Sequence, residues 1–215
     1  MNRLSKRLYD LFFAGLGLLI LSPLLLLISI LMKLKDGPVF FRQERVGQHG
    51  KIFRIWKFRT MVVNAEHLGL SITARGDPRV TRLGKLLRKW KLDELPQLWN
   101  VLRGEMSLVG PRPEVPRYVG KYTEAQRQVL SLKPGITDMA TLEFREEEAL
   151  LSSSPDPERL YIDYCIRRKI ELNLAYAAQA SLWKDTQVIL WTLIPGYATK
   201  DRLKILSLLE KAQQN

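Results

Sequence analysis

Cysteine and histidine are scarce in this sequence. The 215 residues include one cysteine, Cys165, so an internal disulfide and a cysteine-based zinc site are excluded. The two histidines, His49 and His67, lie apart in the sequence, which argues against a histidine-rich metal centre and a histidine-dependent catalytic triad. The lone thiol favours a reducing compartment, because an unpaired cysteine is unfavourable in a secreted protein.

The common phosphate-binding loops are also missing. Gly15-Leu-Gly17 lies inside an apolar run and lacks the third glycine of a dinucleotide-binding fingerprint. The sequence has no G-x-x-x-x-G-K-[ST] loop, and no D-x-D pair of the kind that many nucleotide-sugar transferases use to hold a metal. The sequence therefore offers none of these familiar phosphate-binding or metal-binding signatures.

Positive charge is in excess and is unevenly placed. The chain has 34 Lys and Arg against 22 Asp and Glu, for a formal net charge of +12. Residues 1–60 hold eleven basic and three acidic side chains, whereas residues 116–215 hold fourteen and thirteen. Such a surplus predicts an anionic partner, which from charge alone is a nucleic acid, a lipid headgroup surface or a phosphorylated substrate.

The basic excess surrounds an uncharged apolar segment, Leu11–Met32. A helix of this length would be about 33 Å long, enough to cross the hydrocarbon core of a bilayer. No second run of this kind follows, so a polytopic membrane protein is not expected. At the centre stands Ser22-Pro23, where proline removes a helical N–H and conflicts with the carbonyl of Leu19. The Ser22 hydroxyl could bond to a carbonyl freed in this way.

Two paths through the membrane are open for this segment. A simple span would carry Arg3, Lys6 and Arg7 across the bilayer, against the tendency of basic residues to stay on the cytoplasmic side. A re-entrant hairpin bent at Ser22-Pro23 would keep both basic flanks on one face. Each arm of about eleven residues would then reach about 16 Å, near mid-bilayer. The residues alone favour neither path.

The rest of the chain predicts one mainly helical domain with a small β-hairpin. Val39–Val46 and Ile52–Thr60 are β-rich runs joined by a glycine-bounded turn, and Lys57 and Arg59 would project from one face of the second strand. The Trp-rich segment Ala180–Ile194 fits either a membrane interface or a helix buried on the core. Caps and prolines predict further helices at Thr81–Trp90, from Pro96 to Leu102, from Thr123 to before Lys133, and from Asp156 to about Gln179.

The chemically informative stretch begins with two adjacent carboxylates, Asp93 and Glu94, just before Pro96. A helix N-terminus favours carboxylates and phosphate, although an ordinary acidic helix start would show the same pair. Neighbouring helical side chains point about 100° apart, so one carboxylate could attack or abstract a proton while the other holds Mg²⁺. Arg88 and Arg112, the latter between two prolines, are suited to bidentate contact with phosphate.

The run Leu92–Pro113, LDELPQLWNVLRGEMSLVGPRP, closely resembles the central motif of the bacterial sugar transferases, the monotopic phosphoglycosyl transferases. Further matches follow the order of that family: GPVFFRQ at Gly37–Gln43, KFRTM at Lys57–Met61 and LKPGIT at Leu132–Thr137. Members also carry an N-terminal hydrophobic segment with a central Ser-Pro. The resemblance covers about residues 5–140. It departs at Asp138-Met139-Ala140, where many members have Gly followed by an aromatic residue or Leu, which leaves the acceptor or sugar side of the pocket open.

The resemblance implies a two-step transfer at the cytoplasmic face of the bacterial inner membrane. A UDP-sugar would give its sugar-1-phosphate to undecaprenyl phosphate, yielding an undecaprenyl-diphosphate sugar and UMP in the first membrane step of a glycan pathway. By the same resemblance Asp93 is the nucleophile that forms an acyl-phosphate sugar intermediate, and Glu94 binds Mg²⁺. The substrate-binding residues that it implies are Lys57, Arg59, Arg88, Pro111, Arg112 and Pro113. Arg145 is a weaker candidate for the same role, because it lies beyond the matched region.

The resemblance also favours the re-entrant path, with Ser22 and Pro23 at the membrane break. It predicts a monotopic membrane protein in which residues 1–35 form a re-entrant helix-break-helix. Residues 36–215 would form a cytoplasmic catalytic domain with interfacial amphipathic helices. The expected partners are a UDP-sugar, undecaprenyl phosphate and the cytoplasmic leaflet, and no nucleic acid is expected. The sugar, the glycan pathway and the oligomeric state stay open, a homodimer included.

Three other functions agree with part of the sequence. A membrane-anchored nucleic-acid-binding protein would account for the net charge, but the charge clusters near the apolar segment and no nucleic-acid motif is present. A non-catalytic scaffold of a glycan-assembly complex would keep the fold, although the intact Asp93-Glu94 pair argues against lost activity. A nucleotide-sugar hydrolase would release sugar phosphate without needing the lipid.

Overall fold

A computed structural model describes residues 1–34, 37–65, 68, 73 and 76–194. These residues are mainly helical, with two small two-stranded sheets, which confirms the predicted fold class in its coarse form. The expected domain boundary between residues 35 and 36 lies outside the described residues.

Helices and strands are interspersed along the chain. The helices are α1 (Arg3–Lys33), α2 (Arg82–Lys89), α3 (Leu98–Leu102), α4 (Pro116–Val119), α5 (Glu124–Arg127), α6 (Met139–Glu143), α7 (Glu147–Ser152), α8 (Pro157–Leu160), α9 (Arg167–Ala178) and α10 (Leu182–Leu193). The strands are β1 (Phe40–Val46), β2 (Ile52–Phe58), β3 (Ser107–Val109) and β4 (Gly135–Thr137). Short 3₁₀ turns lie at Gln48–Gly50, Leu92–Gln97 and Gln128–Ser131, and a π-helical segment, Tyr161–Ile166, joins α8 to α9.

The helix α1 continues through Pro23. Ser22 Oγ donates a hydrogen bond to the Leu19 carbonyl at 2.7 Å, the carbonyl that proline at position 23 leaves without its usual helical donor. The predicted compensation by Ser22 is therefore confirmed, and the re-entrant path stays a prediction. By length and composition α1 could cross a membrane, and it is compatible with membrane association. Exposed apolar side chains along α1 include Leu4, Leu8, Phe12, Leu19, Ile20, Leu26 and Leu27.

Buried polar contacts fix the first turns of α1 to the rest of the chain. Lys6 Nζ lies 2.8 Å from Asp10 Oδ1 and 2.7 Å from Asp185 Oδ2, and both carboxylates are almost fully buried. The Leu108 N–H donates to Asp10 Oδ1 at 3.2 Å, and the Tyr176 hydroxyl donates to Asp185 Oδ1 at 2.6 Å. Lys6, Asp10, Asp185 and Tyr176 form what we term the Lys6 clamp. It joins α1 to β3, α9 and α10.

Both ends of α1 contact the same body of the protein. Near its start, the Arg7 guanidinium donates to the carbonyls of Val101 (2.6 Å) and Leu102 (2.8 Å) at the end of α3. Near its end, α1 packs into a buried apolar cluster with β2 and α2. The buried members of this cluster are Ile28, Met32, Phe58 and Leu87.

The predicted β-hairpin is confirmed. The strands β1 and β2 pair antiparallel from Phe40↔Phe58 to Val46↔Ile52. The second run was expected to reach Thr60, but the strand ends at Phe58, because the Thr60 carbonyl accepts from the Thr81 N–H (2.9 Å). The chain thereby leaves the hairpin and meets the start of α2. Arg59, just beyond the strand, still donates its N–H to Val39 O at 3.0 Å.

The structure contains a second small sheet that was not predicted from the sequence. The strands β3 and β4 pair in parallel, with Ser107 opposite Gly135 and Val109 opposite Thr137. Three-residue strands are too short to show a periodicity of two. Their backbones come so close that a Cβ at Gly135 would overlap the backbone of Gly110. This approach brings the LVGPRP and LKPGIT segments together in space.

The helix predictions hold with one correction. The expected start at Pro96 is wrong, because Pro96 lies inside a 3₁₀ turn that begins at Leu92, after Lys91 in a left-handed conformation (φ 56°), and α3 begins only at Leu98. The Thr123 capping box and the Asp156 cap are confirmed, and α8, the π-helical segment and α9 together form the predicted long helix. The Thr81 cap of α2 is present as well.

The main hydrophobic core lies between α1 and α10. In the Trp-rich segment, Val188 and Trp191 are buried in this core, whereas Trp183 is 70% exposed. The core interpretation of that segment is therefore confirmed for one face of α10, and its contact with a membrane interface stays a prediction. The other buried core members are Ala14, Ile55, Leu98, Val101, Met106, Leu108, Val109, Met139, Leu142 and Tyr176.

Gly84 tests the close contact of α2 with the backbone after β2. A Cβ at residue 84 would overlap the Thr60 carbonyl, which is backbone and cannot rotate away. Overpacking of this kind costs about 1–3 kcal/mol, so we expect Gly84→Ala to lower the thermal unfolding midpoint of the detergent-solubilised protein. In the control Gly120→Ala, the new Cβ would meet nothing closer than 3.5 Å, so the midpoint should hold or rise slightly. Equal midpoints for Gly84→Ala and wild type would contradict the close contact.

Candidate active site

The two predicted carboxylates lie in the tight turn that follows α2. The turn Leu92–Gln97 is 3₁₀-helical, and Asp93 and Glu94 are only 7% and 9% exposed. Both carboxylates are thus inside the turn, with Pro96 after them. Buried carboxylates require positive partners or hydrogen-bond donors, so their surroundings define the site.

Glu94 is held by two cationic side chains from distant parts of the chain. Lys57 Nζ, at the end of β2, lies 2.8 Å from Glu94 Oε1. The Arg112 guanidinium forms a bidentate pair, in which Nη1 donates to Oε2 at 3.0 Å and Nη2 donates to Oε1. We term Lys57, Glu94 and Arg112 the Glu94 ion cluster. It brings together three residues that the sequence analysis assigned to the site.

The two adjacent carboxylates differ in their pKa. Burial would raise the pKa of Glu94, but the charges of Arg112 and Lys57 prevail and hold it well below its usual range. The pKa of Asp93 is raised, first by burial and then by the charge of Glu94. Burial also lowers the pKa of Lys57 to about 8, against the opposing effect of Glu94. Divergent pKa values in a neighbouring pair are typical of carboxylates with different chemical roles.

Asp93 and Gln97 each carry a buried polar atom without a partner. Asp93 Oδ1 and Gln97 Nε2 form no hydrogen bond with any residue that the structure describes. An unpaired buried polar atom costs about 1–3 kcal/mol, so its presence in a turn next to an ion cluster points to use in chemistry or binding. The sequence analysis did not select Gln97, although it belongs to the matched DELPQ motif.

The resemblance implies Mg²⁺ at this site. Among the described residues there is no group of three or more His, Cys, Asp or Glu side chains that could hold a metal. However, Mg²⁺ at phosphate-transfer sites commonly uses one or two carboxylates and completes its shell with water and substrate phosphate. Glu94, the residue that the resemblance implies, would supply the one carboxylate of this smaller donor set. A metal at Glu94 would compete with Lys57 and Arg112, which contact both of its oxygens.

The Pro111-Arg112-Pro113 segment is held rigidly through its backbone. Pro111 O accepts from the Gly135 N–H at 3.0 Å, beside the β3–β4 pair. The Arg112 N–H donates to Asp138 Oδ2 at 3.1 Å, and the same oxygen accepts from Asn173 Nδ2 at 2.8 Å. These bonds aim the Arg112 side chain at Glu94.

A second, half-buried ion pair supports the far side of this segment. Arg45 Nη1 donates to the Pro113 carbonyl at 3.1 Å and lies 3.4 Å from Glu114 Oε1. The Tyr161 hydroxyl donates to the other oxygen of Glu114. The sequence analysis used Arg45 only as a basic flank of the apolar segment and did not select Glu114 or Tyr161, because side chains so far apart in sequence give no local signal of contact.

Three other predicted residues lie outside the Glu94 ion cluster. Arg59 lines an apolar cavity of about 240 Å³ beside the end of α1. Arg88 Nη2 lies 2.6 Å from Glu148 Oε1, and Arg145 Nη2 donates to the Trp191 carbonyl. Their contacts with substrate stay predictions. The other residues that line the cavity are Met32, Met61, Val62, Val63, Thr81 and Leu83.

The sequence matches known proteins over most of its length. The family model described as "Bacterial sugar transferase" matches residues 1–197, and the chain belongs to that family. A protein of Escherichia coli (strain K12) named UDP-glucose:undecaprenyl-phosphate glucose-1-phosphate transferase is 38% identical over 208 residues, which cover 93% of this chain and 41% of that protein. A protein of the same name from Caulobacter vibrioides (strain ATCC 19089 / CIP 103742 / CB 15) is 37% identical over 210 residues, 92% of this chain and 71% of that protein.

Relatives with other named sugars match equally well. A protein of Aeromonas hydrophila named UDP-N-acetylgalactosamine-undecaprenyl-phosphate N-acetylgalactosaminephosphotransferase is 38% identical over 204 residues, 91% of this chain and 45% of that protein. The chain thus spans less than half the length of several curated relatives that it matches. Glucose and N-acetylgalactosamine both occur in the names at similar identity, so identity alone does not select the sugar.

The low pKa of Lys57 should make stability depend on pH. Because this pKa falls from 10.5 to about 8 on folding, the unfolded chain binds more protons between these values, and the folded state gains stability as pH rises through that window. Lys57→Met removes this gain and leaves Glu94 paired with Arg112. Replacing a buried ion by an apolar side chain is often neutral or stabilising. We therefore expect the Lys57→Met unfolding midpoint to match or exceed that of wild type at pH 7.

As pH rises from 8 to 10, the unfolding midpoint of wild type should rise relative to that of Lys57→Met, as measured by thermal unfolding of both proteins in the same detergent. Lys51→Met, at an exposed lysine on the hairpin turn, is the control and should keep the pH dependence of wild type. The same pH dependence in Lys57→Met and wild type would show that Lys57 does not titrate in this range.

Proposed function

We propose that this chain transfers a sugar-1-phosphate from a UDP-sugar to undecaprenyl phosphate through a covalent intermediate on Asp93. The observation that carries the proposal is the turn itself, where a buried Asp93 oxygen without a partner adjoins a Glu94 held ionised by Lys57 and Arg112. The family and the names of the relatives supply the class of reaction. The sugar is left open, because the relatives are named for different sugars.

In the first step, Asp93 Oδ1 attacks the β-phosphorus of the UDP-sugar. The bond from that phosphorus to the oxygen bridging the two phosphates breaks, and UMP leaves with the electron pair. The product is an acyl phosphate that joins Asp93 to the phosphosugar. Burial without hydrogen bonds suits Asp93 to this role, because its oxygen has no donors to lose before it attacks.

Positive side chains balance the charge on the diphosphate. Arg112 can serve this role while it holds Glu94, since 38% of its side-chain surface is exposed, against 11% for Glu94. Lys57 adds a second charge at the same carboxylate. Fixed charges of this kind stabilise a leaving phosphate. Glu94 would also hold Mg²⁺, which when bound neutralises charge on the diphosphate.

In the second step, a phosphate oxygen of undecaprenyl phosphate attacks the phosphorus of the acyl phosphate. The bond to Asp93 breaks, the carboxylate is regenerated, and undecaprenyl-diphosphate sugar is released. Donor and acceptor thus react in turn with one aspartate, in a ping-pong sequence. UMP leaves before the lipid reacts, so the two half-reactions can be measured apart.

We also propose that α1 follows the re-entrant path and keeps both of its ends on the cytoplasmic face of the inner membrane. The support is geometric, because the Lys6 clamp at one end and the Ile28–Met32 contacts at the other both bind α1 to the same catalytic body. A span that placed the two ends of α1 on opposite faces of the membrane would have to break one of these sets of contacts, and loss of the Lys6 clamp would leave buried carboxylates unpaired. Exposed Trp90 and Trp183 are suited to the headgroup level beside it.

The covalent step can be tested by intact-protein mass spectrometry of the detergent-solubilised enzyme. With Mg²⁺ and a panel of UDP-sugars, but without lipid, wild type should gain the mass of one phosphosugar and release UMP. Asp93→Asn should gain none, because an amide is a poor nucleophile. Asp163→Asn, which changes an exposed aspartate paired with Arg159, is the control and should keep the adduct.

An adduct on the Asp93→Asn variant would show that a residue other than Asp93 is the nucleophile. If no donor in a wide panel gave an adduct, and no UMP appeared after addition of undecaprenyl phosphate, the chain would act as a non-catalytic scaffold. The donor that gives the adduct identifies the sugar.

The membrane path can be tested with an N-terminal tag and protease treatment of spheroplasts and inverted vesicles. In wild type the tag should be cleaved only in inverted vesicles, which expose the cytoplasmic face. Replacing Ser22 and Pro23 together by Ala should favour a straight span and expose the tag on the outer face in part of the molecules. Ser29→Ala, which removes a similar hydroxyl bond to Leu25 O (2.7 Å) without touching the proline, should behave as wild type. A tag that stayed cytoplasmic in the double variant would show that Ser22-Pro23 does not determine the path of α1 through the membrane.

A further inference from the structure

Asp138 is a buried carboxylate with no assigned role in the reaction. It follows β4 directly and is 1% exposed. Its Oδ1 accepts from the Thr141 N–H at 2.6 Å and so caps α6. Its Oδ2 accepts from the Arg112 N–H at 3.1 Å and from Asn173 Nδ2 at 2.8 Å. Two different tasks are thus divided between the two oxygens.

The bonds to Oδ2 reach the part of the site that handles the donor. Arg112 contacts Glu94 through its guanidinium, and its backbone is held by Asp138. Asn173 is itself fixed, because its Nδ2 also donates to the Lys169 carbonyl at 2.9 Å within α9. A chain of contacts therefore runs from α9 through Asp138 to Arg112.

A buried carboxylate is costly unless donors surround it, and Asp138 has donors on both oxygens. An aspartate here adds a charge-assisted bond to a segment that is already restricted by Pro111 and Pro113. Such a bond reduces the freedom of the Arg112 backbone before substrate arrives.

We propose that Asp138, supported by Asn173, is a positioning residue that presents Arg112 to the uridine diphosphate part of the donor. This inference rests on the proposed function, since it deepens the donor side of that site. Asp138 does not touch substrate and acts through Arg112. It should therefore set the affinity for uridine nucleotide and leave the affinity for the lipid acceptor unchanged.

Asp138→Asn separates this role from the cap of α6. Asparagine caps helices about as well as aspartate, so its single oxygen can keep the bond to the Thr141 N–H. Its NH₂ group would then face two donors, the Arg112 N–H and Asn173 Nδ2, and the positioning bond would be lost. The matched control is Asp156→Asn, at the exposed cap of α8, where Asp156 Oδ1 accepts from the Arg159 N–H at 3.0 Å.

The experiment is calorimetric titration of the full chain in detergent with UDP, and of its variants under the same conditions. Asp138→Asn should weaken UDP binding about tenfold, in line with the loss of one charge-assisted bond, and Asp156→Asn should bind as wild type. In an Arg112→Ala background, Asp138→Asn should weaken binding by less than about twofold further, because the two residues act as one unit. Asn173→Leu should give a smaller loss than Asp138→Asn.

Kinetics provide the second readout. With the donor that gives the adduct, Asp138→Asn should raise KM for the UDP-sugar and leave KM for undecaprenyl phosphate within about twofold. Unchanged UDP binding, or a loss that adds fully to that of Arg112→Ala, would overturn the positioning role and leave Asp138 as a helix cap. Wild type that binds UDP but transfers no sugar would reject the proposed function alone, whereas wild type that binds no uridine nucleotide would reject both.

Discussion

A buried negative charge at Glu94 is the constraint on which the rest of the site depends. A carboxylate 9% exposed is tolerated only when cations and donors surround it, and here they come from the end of β2 and from the segment after β3. Lys57 and Arg112 can both reach Glu94 only if the hairpin, the 3₁₀ turn and the β3–β4 pair converge. The small sheets therefore serve chiefly to bring charged side chains together.

The same few elements carry both the site and the attachment of α1. The turn that holds Asp93 leads directly into α3, whose last carbonyls bind Arg7 of α1. The strand β3 donates from Leu108 to Asp10 of α1 and continues into the segment of Arg112. Because short elements are shared in this way, the position of the membrane-compatible helix and the geometry of the turn that holds Asp93 and Glu94 are mechanically linked.

Local chemistry accounts for what could be predicted from the sequence. The hairpin, the Thr123 capping box and the helix after Asp156 were readable because caps and turns act within a few residues. The resemblance identified Glu94 and Arg112, but their pairing joins residues 18 positions apart, and the Lys57 contact joins residues 37 apart, which no periodicity reports. The parallel strands were missed because three residues show no alternation. Asn173 was missed because a polar residue in a helix resembles any solvated one.

The Lys6 clamp imposes an order on the biogenesis of the protein. Asp185 follows Asp10 by 185 − 10 = 175 residues, so the ribosome completes the hydrophobic helix long before it makes the partner of Lys6. At about 5–20 residues per second the delay is roughly 10–35 s. During that time α1 has only Asp10 to balance Lys6. The helix α1 can therefore complete its buried contacts only after α10 has been synthesised, which makes the placement of an exposed apolar helix depend on a segment far along the chain.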